Sequence, residues 1–200
     1  MVELQRHEKR EIMGFYDLEK NVNAYIDMAK GFDGRELIEI LKKYVPKGVS
    51  VLELGMGPGV DLEILSKTFN VTGSDASRCF IDRFKKMHPD IEVLELDVKN
   101  INIERKFDCI YSNKVLHHLN DEELKNSLIK QKEILNDGGI LFHTFWLGDK
   151  QESMEGMLFN YVTKSKLQQM VKDHFEIVIF EIYKEMEDDD SVYMILRKTI

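Results

Sequence analysis

The sequence predicts the α/β class, a mostly parallel sheet with helices on both faces. Three observations carry that expectation. From Ser50 onward, short apolar runs of strand character alternate with segments of helical period. The stretch Val51-Leu-Glu-Leu-Gly-Met-Gly-Pro-Gly59 runs from an apolar strand through a glycine turn into a helix. The chain closes on two strand-like runs joined by a short polar segment, which requires an antiparallel hairpin rather than another crossover.

The elements follow in order. Residues 8–28 have the pattern of a helix or two, with Phe15, Tyr16, Tyr25 and Ile26 as apolar or aromatic members. After a Gly31-Phe-Asp-Gly34 break, Leu37, Ile38, Leu41, Tyr44 and Val45 form an apolar stripe at helical spacing. Residues 50–54 form the first strand, 61–69 a helix with Leu62, Leu65 and Phe69 on one face, and 70–75 the second strand. Phe80, Ile81, Phe84 and Met87 define a helix that Ser77 caps and Pro89 terminates. Residues 91–98 and 107–113 are the third and fourth strands. The eight residues between them are short for a parallel crossover, so the helix there is expected to shrink to a turn. Asn120 with Glu123 makes a capping box for a helix carrying Leu124, Leu128 and Leu135, closed by Asp137-Gly138-Gly139 before a fifth strand over 140–145. A helix over 165–174 precedes the closing strands, 175–183 and 191–197.

Two hundred residues with 43% hydrophobic content can bury a full core. The formal net charge is -8, and no run of Lys and Arg makes a basic face, so nucleic acid is disfavoured as a partner. The two cysteines, Cys79 and Cys109, exclude a disulfide scaffold and lack metal-ligand spacing; no metal site is expected. The polar N-terminus is unlike a signal peptide, and no apolar stretch approaches a membrane span, so the expectation is a cytoplasmic protein with no membrane partner. Asp188-Asp189-Asp190 is taken as an exposed acidic turn.

Gly55, Gly57 and Gly59 provide positive φ or close backbone approach to a ligand at a helix N-terminus, the geometry that binds the polar end of a nucleotide-like cofactor. Glu53, Asp75 and Asp97 fall at successive strand ends, where ligands of parallel sheets sit. Asp75 lies where a carboxylate accepts both hydroxyls of a ribose.

These motifs resemble those of the class I S-adenosylmethionine-dependent methyltransferases from about Leu37 to the C-terminus. Glu53-Leu-Gly-Met-Gly-Pro-Gly59 is similar to that family's first motif, Gly73-Ser-Asp-Ala76 to its second and Glu95-Leu-Asp-Val98 to its adenine-contacting strand end. Ser112-Asn113-Lys-Val-Leu-His-His-Leu119 resembles the fourth, and Leu135-Asn-Asp-Gly-Gly-Ile-Leu141 the turn before strand five. The resemblance implies a three-layer Rossmann-like sandwich: a mostly parallel seven-stranded sheet with its last strand antiparallel, plus N-terminal helices. It implies a helical cap over 1–45 on a methyltransferase domain over 46–200. It further implies a cofactor site of Glu53, Gly55, Met56, Gly57, Gly59, Asp75, Ala76, Asp97, Val98 and Asn113, with S-adenosyl-L-homocysteine as product. In that site Glu53 favours the cationic end, Asp75 takes the ribose hydroxyls, Asp97 and the Val98 N–H take the adenine, and Asn113 supports the methionine end. A nicotinamide dehydrogenase is the rival cofactor reading, but the residue after Gly59 is Val60 and Asp97 has no role there. A catalytically silent homologue acting as a partner protein is the rival of another class.

Methyl transfer is an in-line displacement that depends mainly on positioning, with a base needed only for a nucleophile of high pKa. His117, His143 and Tyr16 are the candidate catalytic residues, with His118 beside them; a structural histidine is the competing reading for His117 and His118, core packing for His143, and Tyr16 is the choice among the lid positions. In this family the N-terminal helices and the segment after strand five build the acceptor pocket, here Phe15, Tyr16, Tyr25, Phe145, Trp146, Met154, Met157, Phe159 and Tyr161. These suit an apolar or flat acceptor. With the acidic balance and no Asn-Pro-Pro-Tyr tetrapeptide, a small-molecule acceptor is expected ahead of protein or RNA.

Overall fold

The computed structural model describes residues 14–199. A 3-10 turn (Phe15–Asp17) and α1 (Glu19–Met28) lead to α2 (Arg35–Leu41). The alternating part follows as β1 (Ser50–Leu54), α3 (Val60–Ser66), β2 (Asn70–Asp75), α4 (Arg78–Met87), β3 (Glu92–Glu95) and β4 (Phe107–Ser112). A 3-10 turn (Leu116–His118), α5 (Asp121–Glu133) and β5 (Leu135–Trp146) come next, then a two-stranded hairpin, β6 (Gln151–Met154) with β7 (Met157–Asn160). The chain ends with α6 (Lys164–Val171), β8 (Phe175–Tyr183) and β9 (Ser191–Lys198). The main sheet has seven strands in the order β3-β2-β1-β4-β5-β9-β8. β1 to β5 pair in parallel, and β9 is inserted antiparallel between β5 and β8.

Alternation along the strands sends side chains to two cores. Leu52, Leu54, Ile110, Leu141 and Leu196 pack with Leu124, Leu128 and Leu167 of α5 and α6. Val51, Cys109, Tyr111, Phe142 and Ile195 pack with Leu37, Ile38, Leu41 and Leu65 of α2 and α3. Each such side chain contributes about 1.5–3 kcal/mol on full burial, which makes the three-layer sandwich stable. It also fixes the carboxyl ends of β1, β2 and β4 beside one another.

The strand ends, caps and closing hairpin fall near their expected places. Ser77 Oγ accepts the Phe80 N–H at 3.3 Å, and the Asn120–Glu123 capping box is formed in both directions. No helix lies between β3 and β4. Five details differ. The described part of the first helical stretch is a 3-10 turn followed by α1; residues 8–13 lie outside the described residues. Tyr44, Val45 and Phe69 fall beyond the helices expected to carry them, although Val45 and Phe69 remain buried. Leu135 opens β5 instead of belonging to α5, and Asp137 to Gly139 form an irregularity inside that strand, not a helix-closing turn. Leu135 pairs with Phe107 and Ile140 with Cys109, so extra residues loop out where Gly138 takes φ +73°. β3 stops at Glu95, which leaves Asp97 and Val98 in the turn beyond it. The β6–β7 hairpin was not foreseen; its Glu155-Gly156 turn has φ of +51° and +83°.

Candidate functional site

The glycine turn begins where β1 ends. Gly59 takes φ +87° and closes the turn by donating its N–H to the Met56 carbonyl at 2.8 Å. Met56 turns its side chain into the core beside Leu62, Ile81 and Phe84, so only its backbone faces the turn. Gly57, at φ +51°, has open space where a Cβ would stand, apart from the edge of the Tyr25 ring at 3.7 Å. That is the surface a ligand could lie against.

Asp75, at the end of β2, braces the turn. Its Oδ2 accepts the Gly57 N–H at 2.9 Å and its Oδ1 the Ser77 N–H at 2.8 Å. Burial raises its pKa, partly offset by N–H donors from Ser77, Gly57 and the exposed Ala76. The Asp75 carbonyl accepts the Leu96 N–H at 2.9 Å, which brings the chain before Asp97 alongside. Asp97 is exposed, with Oδ1 accepting the Lys99 N–H at 2.8 Å, and Val98 packs half-buried on the core.

Glu53 is 3% exposed, and its Oε2 has no hydrogen-bond partner. Burial, then the charges of Asp61 and Asp75, push its carboxyl well above the ordinary range. Buried carboxylates normally have partners. An unpartnered one beside two further acids is a place for a cation.

Asp61, in the first turn of α3, was not singled out from the sequence, because an acid at a helix N-terminus is unremarkable. It joins four segments. Its Oδ1 accepts the Gly34 N–H at 2.7 Å, and its Oδ2 accepts the Tyr111 hydroxyl at 2.8 Å and the Asn113 amide at 3.1 Å. Asn113 Oδ1 in turn accepts the Thr144 hydroxyl at 2.7 Å. The expected cofactor residues Glu53, Gly57, Asp75 and Asn113 thus meet around the carboxyl ends of β1, β2 and β4.

The N-terminal segment covers that edge. The Tyr16 ring meets Tyr25 at 5.4 Å and Phe80 at 5.4 Å, and its carbonyl accepts the Ser77 hydroxyl at 2.7 Å. Burial first, then Tyr25, Asp75 and Glu155, push the Tyr16 hydroxyl up to about 12, so it stays protonated at neutral pH.

The histidines divide. His143 lies wholly within the sheet, its Nδ1 2.8 Å from Ser112 Oγ, and burial pushes it down to about 3. His118 Nδ1 lies 2.7 Å from the Leu158 carbonyl of β7. His117 is 4% exposed and stacks on Phe159 at 5.3 Å; neither of its ring nitrogens has a partner. Burial, then His118 and Lys114, hold it neutral. Phe145 belongs to the core, Trp146 is half-buried and Met154 is exposed. Among the described residues, no group of three or more His, Cys, Asp or Glu is placed to hold a metal ion.

Residues 51–139, which hold the glycine turn, Asp75, Asp97 and the histidine pair, match the methyltransferase domain family. That match spans a little under half of the chain. It is 29% identical over 140 residues to a malonyl-[acyl-carrier protein] O-methyltransferase of Priestia megaterium, covering 66% of this chain and 50% of that protein. It is 24% identical over 127 residues to a dTDP-3-amino-3,4,6-trideoxy-alpha-D-glucopyranose N,N-dimethyltransferase of Streptomyces venezuelae, covering 61% and 54%. The chain therefore spans about half the length of these curated relatives. The chain also superposes on the Burkholderia thailandensis 1,6-didemethyltoxoflavin-N1-methyltransferase, which was crystallised with 1,6-didemethyltoxoflavin and S-adenosylhomocysteine. The TM-score is 0.76 at 18% identity, covering 90% of this chain and 85% of that one. That likeness establishes the Rossmann-like methyltransferase fold.

Proposed function

We propose that this methyltransferase domain transfers the methyl group of S-adenosyl-L-methionine to a small-molecule acceptor, leaving S-adenosyl-L-homocysteine. The observation that carries the reading is the buried Glu53 carboxylate with an unpartnered oxygen, next to the open backbone at Gly57. When bound, S-adenosylmethionine supplies an electrophilic methyl on a positively charged sulfur. Glu53 stabilises the cationic end of the cofactor by charge. Asp75 exchanges its Gly57 and Ser77 N–H contacts for, or shares them with, the ribose hydroxyls. Gly55, Gly59 and Met56 shape the turn, and Ala76, Asp97 and Val98 serve the adenine. Asn113, clamped between Asp61 and Thr144, orients the methionine end.

Of the cap expected over residues 1–45, the described 3-10 turn and α1 act in this reading to exclude water, with Tyr16 and Tyr25 over the cofactor edge, while α2 packs on the sheet and residues 1–13 lie outside the described residues. Tyr16 is a neutral hydrogen-bond donor there. His117, neutral at physiological pH, is the histidine available to an acceptor proton; His143, inside the core, serves packing. Relatives named for a malonyl-[acyl-carrier protein], an amino sugar and a toxoflavin precursor support a small-molecule or carrier-borne acceptor. Among the described residues no helix is long and apolar enough to cross a membrane. With its free cysteines Cys79 and Cys109, that supports a cytoplasmic site of action. The test is a screen of small metabolites with S-adenosylmethionine, monitoring S-adenosylhomocysteine. Acceptor-dependent product that disappears in D75A supports the reading, and cofactor binding without turnover on any acceptor class favours a silent homologue.

A further inference from the structure

Lys114 has no part in the cofactor site, yet it is unusual. It follows Asn113 and holds a left-handed backbone, φ +54°, without being glycine. Such strain persists where the surroundings over-determine it, commonly at functional positions. Its Nζ donates to the Phe145 carbonyl at 3.0 Å and to Ser191 Oγ at 2.6 Å, and stands 3.6 Å from the centre of the Trp146 ring. Burial lowers its pKa to about 8, with Glu185 and Asp190 acting the other way, so it is mostly charged at neutral pH. Elsewhere Lys99 pairs with Glu123, Lys166 with Asp121 and Arg78 with Glu95. Among the described residues, Lys114 makes no ion pair.

Charge is therefore partitioned along the carboxyl edge. Glu53, Asp61 and Asp75 make the β1–β2 side acidic, while the β4–β5 side carries a half-buried ammonium that no carboxylate contacts directly, with Glu185 and Asp190 acting on it from further off. The second observation is His117, three residues further along the same β4–α5 connection, nine-tenths buried with both ring nitrogens unpartnered and stacked on Phe159. A neutral imidazole offers one N–H donor and one lone pair. We propose that Lys114 and His117 form a subsite for a carboxylate of the methyl acceptor, flanked by the Trp146 and Phe159 rings. A carboxylate oxygen is a stronger partner for an ammonium than an indole face, so the ring contact yields to it. The acids of the cofactor side repel the same group and orient the acceptor away from them. This inference rests on the proposed methyltransferase function and adds its substrate class.

Trp146 is the only tryptophan of the chain, so its emission reports on this subsite. Protein saturated with S-adenosylhomocysteine is titrated with benzoate, benzamide and benzylamine. Benzoate is expected to give a saturable change and to bind about tenfold or more tighter than benzamide, with benzylamine weakest. K114M is expected to weaken benzoate by about tenfold or more, and K114R to restore part of it. S-adenosylhomocysteine affinity should stay within about twofold in both variants, since the Lys114 side chain hydrogen-bonds only to Phe145 and Ser191, and both variants keep the backbone N–H that donates to Thr144 Oγ1 beside Asn113. H117N, which keeps a polar group, should weaken benzoate alone. Should K114M fail to fold, the order of the three probes on the wild type decides. Benzylamine binding more tightly than benzoate, no benzoate binding, or K114M binding benzoate like wild type overturns the subsite. Absence of S-adenosylhomocysteine binding strikes instead at the proposed function.

Discussion

The Asp75 carboxylate accepts the Gly57 N–H at 2.9 Å, so the acid at the end of β2 holds the glycine turn at the end of β1. One side chain thus sets the shape of the loop and presents charge to whatever lies on it. Loop and ligand affinity should respond together when Asp75 is changed. Asp75→Asn keeps one acceptor oxygen, so it should cost less of both than Asp75→Ala, measured by thermal unfolding and cofactor titration.

Glu53 gives a pH dependence of definite sign. Its carboxyl titrates well above the ordinary range because burial, then Asp61 and Asp75, disfavour the charge. Above the ordinary carboxyl range the unfolded chain has released this proton and the native one has not, so the empty protein loses stability as pH rises to the raised value. A cationic ligand favours the ionised form, so affinity for S-adenosylmethionine should climb over the same interval and then level off. Glu53→Gln should flatten that profile. Calorimetry in buffers of different ionisation enthalpy would register proton release on binding to wild type and its absence in the variant.

Asp61 binds groups from Gly34, Tyr111 and Asn113, so its loss leaves buried donors without acceptors. Asp61→Ala should destabilise the domain by about 2–4 kcal/mol in urea titration, and Asp61→Asn by less. Gly34→Ala attacks the same junction from the other side, because its Cβ would crowd the Tyr111 hydroxyl at 2.5 Å. About 1–3 kcal/mol is expected from that overpacking.

The β8–β9 connection is held by Asp190. Partial burial opposes its ionisation, but N–H donors from Glu187, Glu185 and Met186 outweigh that and draw it down to about 2. Its contribution should be complete above the ordinary carboxyl range, near pH 4, and vanish as pH falls through about 2. Asp190→Ala should lower the melting temperature at pH 7 and leave it little changed near pH 2.

Much of this was legible in the sequence because it is local. The glycine turn, the Ser77 and Asn120 caps and the closing hairpin depend on neighbours a few residues apart. Asp61 was not legible, since its partners lie 27 to 52 residues away and only the fold unites them. The β6–β7 hairpin escaped because four-residue strands leave little alternation to detect. Leu135 fitted the helical period of α5, yet the chain had already turned into β5 because pairing with Phe107 outweighed that period. Lys114 gave no signal at all; its interest depends on Trp146 and Ser191, which the sheet brings to it.

The central claim is that the Gly55 to Gly59 turn, Glu53 and Asp75 bind S-adenosylmethionine. Isothermal titration of S-adenosylhomocysteine into wild type and D75A tests it most directly, with circular dichroism to establish that the variant is folded. The account expects saturable one-to-one binding to wild type, weakened about tenfold to hundredfold in D75A as charge-assisted hydrogen bonds to the ribose are lost. Wild type stripped of bound ligand that fails to bind, or a folded D75A that binds as tightly as wild type, would contradict it.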